Sequence, residues 1–294
     1  MSIVPTPRNN SFGILMYHRI APRIGGVSDP TWNVTPTRFR RQMQGLLSLG
    51  YQPWPLRRMI EYHHAGRPVS ARTFVVTFDD GYENFYLNAW PILKELSIPA
   101  TVFVATAYLD TDRSFPFDDW PAKDSADVPV AAWKPLSISE CVELIEHGLV
   151  EIGSHTHTHA DFRGQPAAFR DDLATSLRVL RERLGLDPVT FAFPYGFQGP
   201  DLAAAAREAG TLCALTTQRG LVTPQADPFT WGRICVEASD TPATLTLKLR
   251  GWPTRLRDTW DWFRRPWGAA RAWFGTRDGQ PGRRASAEHE AETL

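Results

Sequence analysis

Along this chain, short continuously apolar runs alternate with longer segments in which apolar positions recur every three or four residues. The short runs occupy residues 13–17 (GILMY), 73–78 (TFVVTF), 100–106 (ATVFVAT), 150–153 (VEIG), 190–193 (TFAF), 212–217 (LCALTT) and 234–236. Most are apolar throughout rather than alternating, which predicts strands covered on both faces, as in a parallel sheet. Between them, residues 37–49 place Phe39, Met43, Leu46 and Leu47 on one stripe, and residues 169–184 do the same with Leu173, Leu177, Leu180 and Leu184. These spacings predict amphipathic helices. Residues 89–96, 139–146 and 201–209 behave similarly, the last stopped by Gly210, a residue at which helices commonly end. Strands alternating with helices of this length predict βαβ units and an α/β fold. About seven strands favour a barrel, complete or incomplete, with an open parallel sheet as the alternative.

Composition and charge narrow the function. The 294 residues suffice for one large core or two smaller ones. Lys and Arg number 32 against 32 Asp and Glu, so the basic footprint that nucleic acid requires is absent. A 43% hydrophobic content argues against a disordered chain. No run of eighteen apolar residues predicts a membrane span. The opening MSIVPTPRNNSFGILMYHRIAP lacks the organisation of a secretory signal, which gives the expectation of a cytoplasmic protein. Cys141, Cys213 and Cys235 are odd in number and far apart. They read as buried hydrophobes in a reducing compartment rather than as disulfides or thiolate metal ligands.

Two stretches depart from the alternation. Residues 110–135 form a Pro-, Asp- and aromatic-rich insertion, and loops of that length tend to be functional or mobile. Residues 251–274 hold five of the eleven tryptophans and five arginines, and residues 275–294 lack apolar content. The expected plan is a domain over 1–250, a Trp/Arg-rich segment over 251–274 and a disordered tail over 275–294. The Trp/Arg-rich segment reads either as a helix packed over the barrel or as a peripheral contact with the inner face of an anionic membrane.

Three motifs carry candidate chemistry, each at the end of a predicted strand, where α/β folds assemble their sites. Thr77-Phe78-Asp79-Asp80-Gly81 sets two carboxylates side by side, so that one can bind a metal while the other serves as a base; a solvated turn is the plain alternative. Gly153-Ser154-His155-Thr156-His157-Thr158-His159 places His155 and His159 four apart, so that on one helical turn they share a face and reach one cation. His157 then points away, toward solvent or the surroundings of the site. Phe193-Pro194-Tyr195-Gly196 is a turn sequence that could aim the Tyr195 backbone N–H inward as an oxyanion donor. His63, His64, His147 and His289 are assigned to solvent.

In that order the three motifs, with the connecting ILMYHRI, FRRQMQGLLSLGY, IPATVFVAT and EIGSHTHTH, resemble the NodB-type polysaccharide deacetylases of carbohydrate esterase family 4. The subset that deacetylates exopolysaccharides such as poly-N-acetylglucosamine is the most similar. The resemblance spans roughly residues 12–236 and implies a distorted (β/α)7-type barrel. It implies a divalent metal on Asp80, His155 and His159, zinc being expected with cobalt or nickel as alternatives, and Asp79 as general base. The implied partner is an N-acetylated glycan, deacetylated as a finished polysaccharide or as an intermediate. Two departures stand out. The arginine many members carry four residues before the motif tyrosine is here Phe191, and the late histidine used as general acid is missing from Trp231-Gly-Arg-Ile-Cys. In the exopolysaccharide subset an N-terminal Tyr-His pair supplies the acid, which maps to His18; a buried structural histidine is the alternative. Pro194, Trp120 and Arg233 are the candidate substrate contacts, Trp120 by stacking on a sugar ring together with Trp133 and Phe117. Arg233 carries a second expectation, that it orients Asp79 in place of the missing arginine. Rival readings are a carbohydrate-binding protein without turnover and an O-deacetylase of a small or lipid-linked sugar. A metalloprotease is disfavoured because no HExxH helix exists.

Overall fold

The computed structural model describes residues 11–118, 128–187 and 189–252. Among the described residues eight strands and seven α-helices follow one another in chain order, alternating except between the last two strands, where only a single 3₁₀ turn intervenes. The strands are β1 (Gly13–Tyr17), β2 (Gln52–Pro53), β3 (Thr73–Phe78), β4 (Ala100–Val104), β5 (Val150–Ser154), β6 (Phe191–Ala192), β7 (Ala214–Arg219) and β8 (Trp231–Cys235). Seven close into a parallel ring in the order β1, β3, β4, β5, β6, β7, β8 and back to β1. The short β2, which hydrophobic patterning did not reveal, adds to the lower part of β3 through Gln52↔Thr73 and Pro53↔Phe74. The ring is a distorted (β/α)7-type barrel. It is uneven because β5 and β6 share the single register pair Ser154↔Phe191 and the β7–β8 register shifts between Leu215 and Arg219.

Side-chain alternation along each strand sorts residues to the two faces of the ring. On β1 and β3, Leu15, Tyr17, Phe74, Val76 and Phe78 join Phe39 and Met43 of helix α1 (Pro36–Ser48) in the outer core. Ile14 and Val75 pack with Phe103, Leu215 and Trp231 in a second cluster. Thr77 shares the face of Val75, so the period of two carries that face on to Asp79 at the strand's exit. Both faces are buried, as the uniformly apolar strand sequences require.

The remaining helices are α2 (Leu56–His64), α3 (Trp90–Leu96), α4 (Ile138–Glu146), α5 (Pro166–Leu184), α6 (Pro200–Glu208) and α7 (Pro242–Leu249). Their limits follow local chemistry. Thr35 caps α1 through Arg38 N–H with Pro36 in the first turn, Ser137 and Glu140 cap α4 reciprocally, and Gly185 ends α5 in the left-handed conformation. No helix among the described residues is long and apolar enough to cross a membrane. All three cysteines are free and buried. The expected Trp/Arg-rich segment and tail lie, from residue 253 onward, outside the described residues, as does Trp120.

Candidate active site

The carboxyl ends of β1, β3, β5, β6 and β7 converge on a cleft of about 390 Å³, lined among others by His18, Trp32, Asp79, Asp80, Tyr195 and Arg219. Asp79 extends β3 by one residue, its N–H donating to Tyr17 O at 2.9 Å. Asp80 then enters the left-handed region at φ 74° and Gly81 follows at 82°. Two consecutive left-handed residues turn the chain sharply, so the neighbouring carboxylates take different surroundings.

Asp79 meets Arg233. The guanidinium, fully buried, donates from Nη1 to Oδ1 and from Nη2 to Oδ2, each at 2.7 Å. Two further N–H groups reach Thr77 Oγ1 at 3.2 Å and Thr216 O at 3.0 Å. Burial alone raises the Asp79 pKa, but the Arg233 charge, with help from His155 and His18, outweighs it and holds the carboxyl well below the usual carboxylate range. Arg233 is therefore a partner of Asp79, and the expectation that it contacts substrate is corrected: it is sealed beneath the cleft. Phe191, at the place of the arginine found in many members of the resembled family, is fully buried, 4.9 Å from the Phe193 ring and 5.8 Å from that of Phe169. Its surroundings are the aromatic and aliphatic side chains of an apolar cluster.

Asp80, His155 and His159 form a buried group whose ligating atoms all lie within 4.8 Å of one another. His155 Nε2 is 3.5 Å and His159 Nε2 3.3 Å from the same Asp80 oxygen. His155 Nδ1 lies 2.8 Å from Ala192 O, which fixes it as the protonated nitrogen and leaves the Nε2 lone pair facing Asp80. Burial pushes the two imidazoles down to about 4 and about 3, so both are neutral at pH 7. Burial also raises the Asp80 pKa, against the pull of His18 and His155. Two neutral imidazoles and a carboxylate crowded around one point are the donor chemistry of a divalent cation site with open positions, so the residues fit the metal.

The histidines do not share a helical turn, and that expectation is corrected. The segment after β5 is irregular, with Thr156 at φ 65° and His159 at φ 57°. Asp172 of α5 holds it: one carboxylate oxygen accepts from His157 N–H at 2.6 Å and Thr158 N–H at 3.1 Å, the other from Thr158 Oγ1 at 2.6 Å. His157 turns away from the ligand group, its Nδ1 2.9 Å from Thr106 Oγ1.

His18 follows β1 directly. Its Nε2 lies 4.0 Å from Asp79 Oδ2, and its ring stacks at 5.5 Å and 19° on Trp32, itself left-handed at φ 63°. Burial lowers the His18 pKa, opposed by Asp80 and Asp79. Tyr195 is 42% exposed, at φ 58°, with its ring 4.7 Å from that of His159; burial pushes its hydroxyl up to about 12. Gly196 follows at φ 71°, where a Cβ would collide with Thr217. Pro194 is buried within this turn and shapes it, so its assignment to substrate contact is corrected. Trp133 packs with the cluster of Val128, Ala132, Ile24 and Val27. Phe117 lines the cleft with its ring against His159. Sequence reasoning missed Arg19, Trp32 and Asp172. Arg19 carried a signal, because a lone arginine among the apolar residues of LMYHRI has to be paired if buried. His63 is also not in solvent but packs edge-on against Trp231 at 5.1 Å.

A carboxylate kept ionised beside a three-donor cation cradle, at the carboxyl mouth of a distorted barrel, defines a hydrolase of the deacetylase type. The profile of the family "Polysaccharide deacetylase" matches residues 66–214, half of the chain, and the chain belongs to that family. It is similar to the poly-beta-1,6-N-acetyl-D-glucosamine N-deacetylase of Staphylococcus epidermidis, at 28% identity over 77% of this chain and 79% of that protein. The enzyme of the same name from Staphylococcus aureus is 25% identical over 70% of this chain and 68% of its own. Among solved structures, the Streptococcus pyogenes deacetylase PplD in complex with acetate superposes with a TM-score of 0.68 at 21% identity, covering 82% of this chain and 99% of that one. IcaB from Ammonifex degensii gives 0.66 at 22%, covering 82% and 98%. These structural likenesses show the fold.

Proposed function

We propose that the protein hydrolyses the N-acetyl amides of an N-acetylated glycan, poly-β-1,6-N-acetylglucosamine being the substrate class its curated relatives suggest, with release of acetate. The observation that carries this reading is the Asp80–His155–His159 group with the arginine-held Asp79 beside it. Zinc suits two imidazoles and a carboxylate, with cobalt and nickel as alternatives. A cation held there supplies Lewis acidity, polarising the amide carbonyl and acidifying water. Asp79, unprotonated throughout the neutral range, accepts the proton of the attacking water. The Tyr195 N–H, at the rim beside His159, donates to the developing oxyanion. His18, its Nε2 4.0 Å from Asp79 Oδ2, in its protonated form delivers a proton to the leaving sugar amine, and the proton that Asp79 took from water restores it, so that amide plus water give acetic acid plus amine. Trp32 and the exposed Tyr195 ring offer flat walls for a sugar. A contact of residues 251–274 with anionic membranes is supported by their Trp and Arg content alone, and liposome co-sedimentation with and without that segment tests it.

The decisive experiment is acetate release from N-acetylglucosamine oligomers by metal-replete protein, with an ester substrate assayed in parallel. Asp79→Asn, which keeps the shape and an acceptor for Arg233, should abolish turnover and retain metal. Asp80→Asn and His155→Ala should lose the metal itself. Full activity of Asp79→Asn would refute the scheme, and metal uptake without any acetate release would favour a binding protein.

A further inference from the structure

Phe117 and Asp118, the last described residues before residue 119, enter the site in a way that neither the motifs nor the proposed reaction requires. A metal-ligating histidine ordinarily donates its second ring nitrogen to a carbonyl or carboxylate, which fixes the ring's orientation. His155 does so through Ala192 O. His159 does not: its Nδ1 is buried with no hydrogen-bond partner among the described residues. Instead the imidazole lies 3.7 Å from the ring of Phe117 at 24° between planes, with Tyr195 edge-on at 4.7 Å. Phe117 is in turn nearly parallel to the fully buried Phe115, at 5.0 Å and 29°.

What holds Phe117 there is a clamp on both stems of the insertion. Asp118 Oδ2 accepts from Arg19 Nη2 at 2.5 Å, with both side chains buried. Arg19 Nε donates to Ala132 O at 2.9 Å, on the returning stem. The guanidinium also lies 4.2 Å from the Tyr82 ring centre, just past Gly81. Asn84 adds a second donor to Ala132 O at 3.2 Å and accepts from Ile20 N–H at 2.8 Å. A buried, multiply bonded arginine next to His18 thus fixes the neighbour of Phe117 in sequence.

We propose that Phe117, clamped through Asp118 by Arg19, is a positioning residue for the cation site, fixing the His159 imidazole by ring stacking where a hydrogen bond is ordinarily used. The inference rests on the reading of Asp80, His155 and His159 as metal ligands. In this arrangement Phe117 belongs to the surroundings of the metal centre, and its ring is not available as a sugar platform on the face turned to His159.

The test measures zinc affinity by chelator competition on the full chain, alongside the thermal midpoint of the metal-free protein. Phe117→Ala should weaken zinc binding by about 10-fold or more, the scale of losing an outer partner of a ligand, while leaving the metal-free midpoint near that of the wild type. Phe117→Tyr, which keeps the flat ring, should bind as the wild type does. At saturating zinc the Phe117→Ala protein should recover most of its kcat. Asp118→Asn should weaken zinc binding too, and Asp118→Asn combined with Phe117→Ala should be no weaker than Phe117→Ala alone, because both act through one ring. Wild-type zinc affinity in a folded Phe117→Ala protein overturns the inference, as do fully additive effects of the two changes. A wild-type protein that takes up no zinc would instead overturn the metal-site reading, and this inference with it.

Discussion

Replacing Arg233 with methionine removes the guanidinium and keeps much of its stem, leaving the Asp79 carboxylate buried without its two 2.7 Å donors. Both side chains are interior, at 0% and 3% exposure, so solvent does not screen the loss. Removing one half of such a pair costs about 3–5 kcal/mol, a large share of the roughly 5–15 kcal/mol that holds a typical domain together. Asp79 relieves part of this cost by taking up a proton, since burial raises its pKa and the strongest opposing charge has gone. In the wild type the folded-state pKa is depressed. Its stabilising contribution is therefore complete above the ordinary value of 3.8 and is lost only as pH falls below that, through the folded-state pKa. Between pH 5 and 8 the wild-type pair gives flat stability, and Asp79 adds no acid limb to the rate profile. In Arg233→Met the sign reverses: the carboxyl is protonated in the folded state, stability declines as pH rises, and kcat/KM climbs with pH as the base is freed. Urea unfolding at pH 5, 7 and 9, together with a pH profile of kcat/KM, reads both effects. Arg233→Lys, which keeps charge but cannot make the two-pronged contact, should fall between. An Arg233→Met protein with the wild-type unfolding midpoint and an unchanged pH profile would refute the reasoning.

Asp172→Ala should lower the thermal midpoint by the equivalent of about 0.5–1.5 kcal/mol, the net worth of hydrogen bonds that water can partly replace, and, on the proposed metal site, weaken metal uptake in a competition titration, because the loop between His155 and His159 loses its hold. Tyr195→Phe should leave kcat within a few-fold of wild type, since the backbone N–H rather than the hydroxyl is assigned to the oxyanion; a loss on the order of 100-fold would move that role to the hydroxyl.

Much of the architecture was legible because most ring strands are buried on both faces and so read as largely apolar runs, although β7 ends in the exposed Gln218 and Arg219. The strand missed altogether is β2, an exposed Gln52 and a half-buried Pro53 with no pattern to detect. The motif-bearing positions were legible for a related reason, as polar residues erupting at the ends of those runs. Their conformations were not. Four spacings between His155 and His159 suggested a helical turn, but a carboxylate from α5 captures the intervening amides, and a long-range partner of this kind leaves no local trace. Arg233 was read as lying just before a strand over 234–236, and only the structure, with β8 at Trp231–Cys235, turns it toward Asp79. Phe117 was visible only as one aromatic residue in an irregular insertion, because what gives it a role is the packing of Arg19, which is about a hundred positions away.

The ring closes by seating β1 between β3 and β8, so its seam joins nearly the earliest and nearly the latest parts of the described chain. During synthesis His18 and the Asp-Asp pair emerge long before Arg233, and until that arginine arrives the Asp79 carboxylate has no counter-charge to justify its burial. An unfinished chain therefore lacks both the β1–β8 pairing and the counter-charge of Asp79. Pairing strands this far apart in sequence gives the ring a high contact order, the feature that generally slows folding.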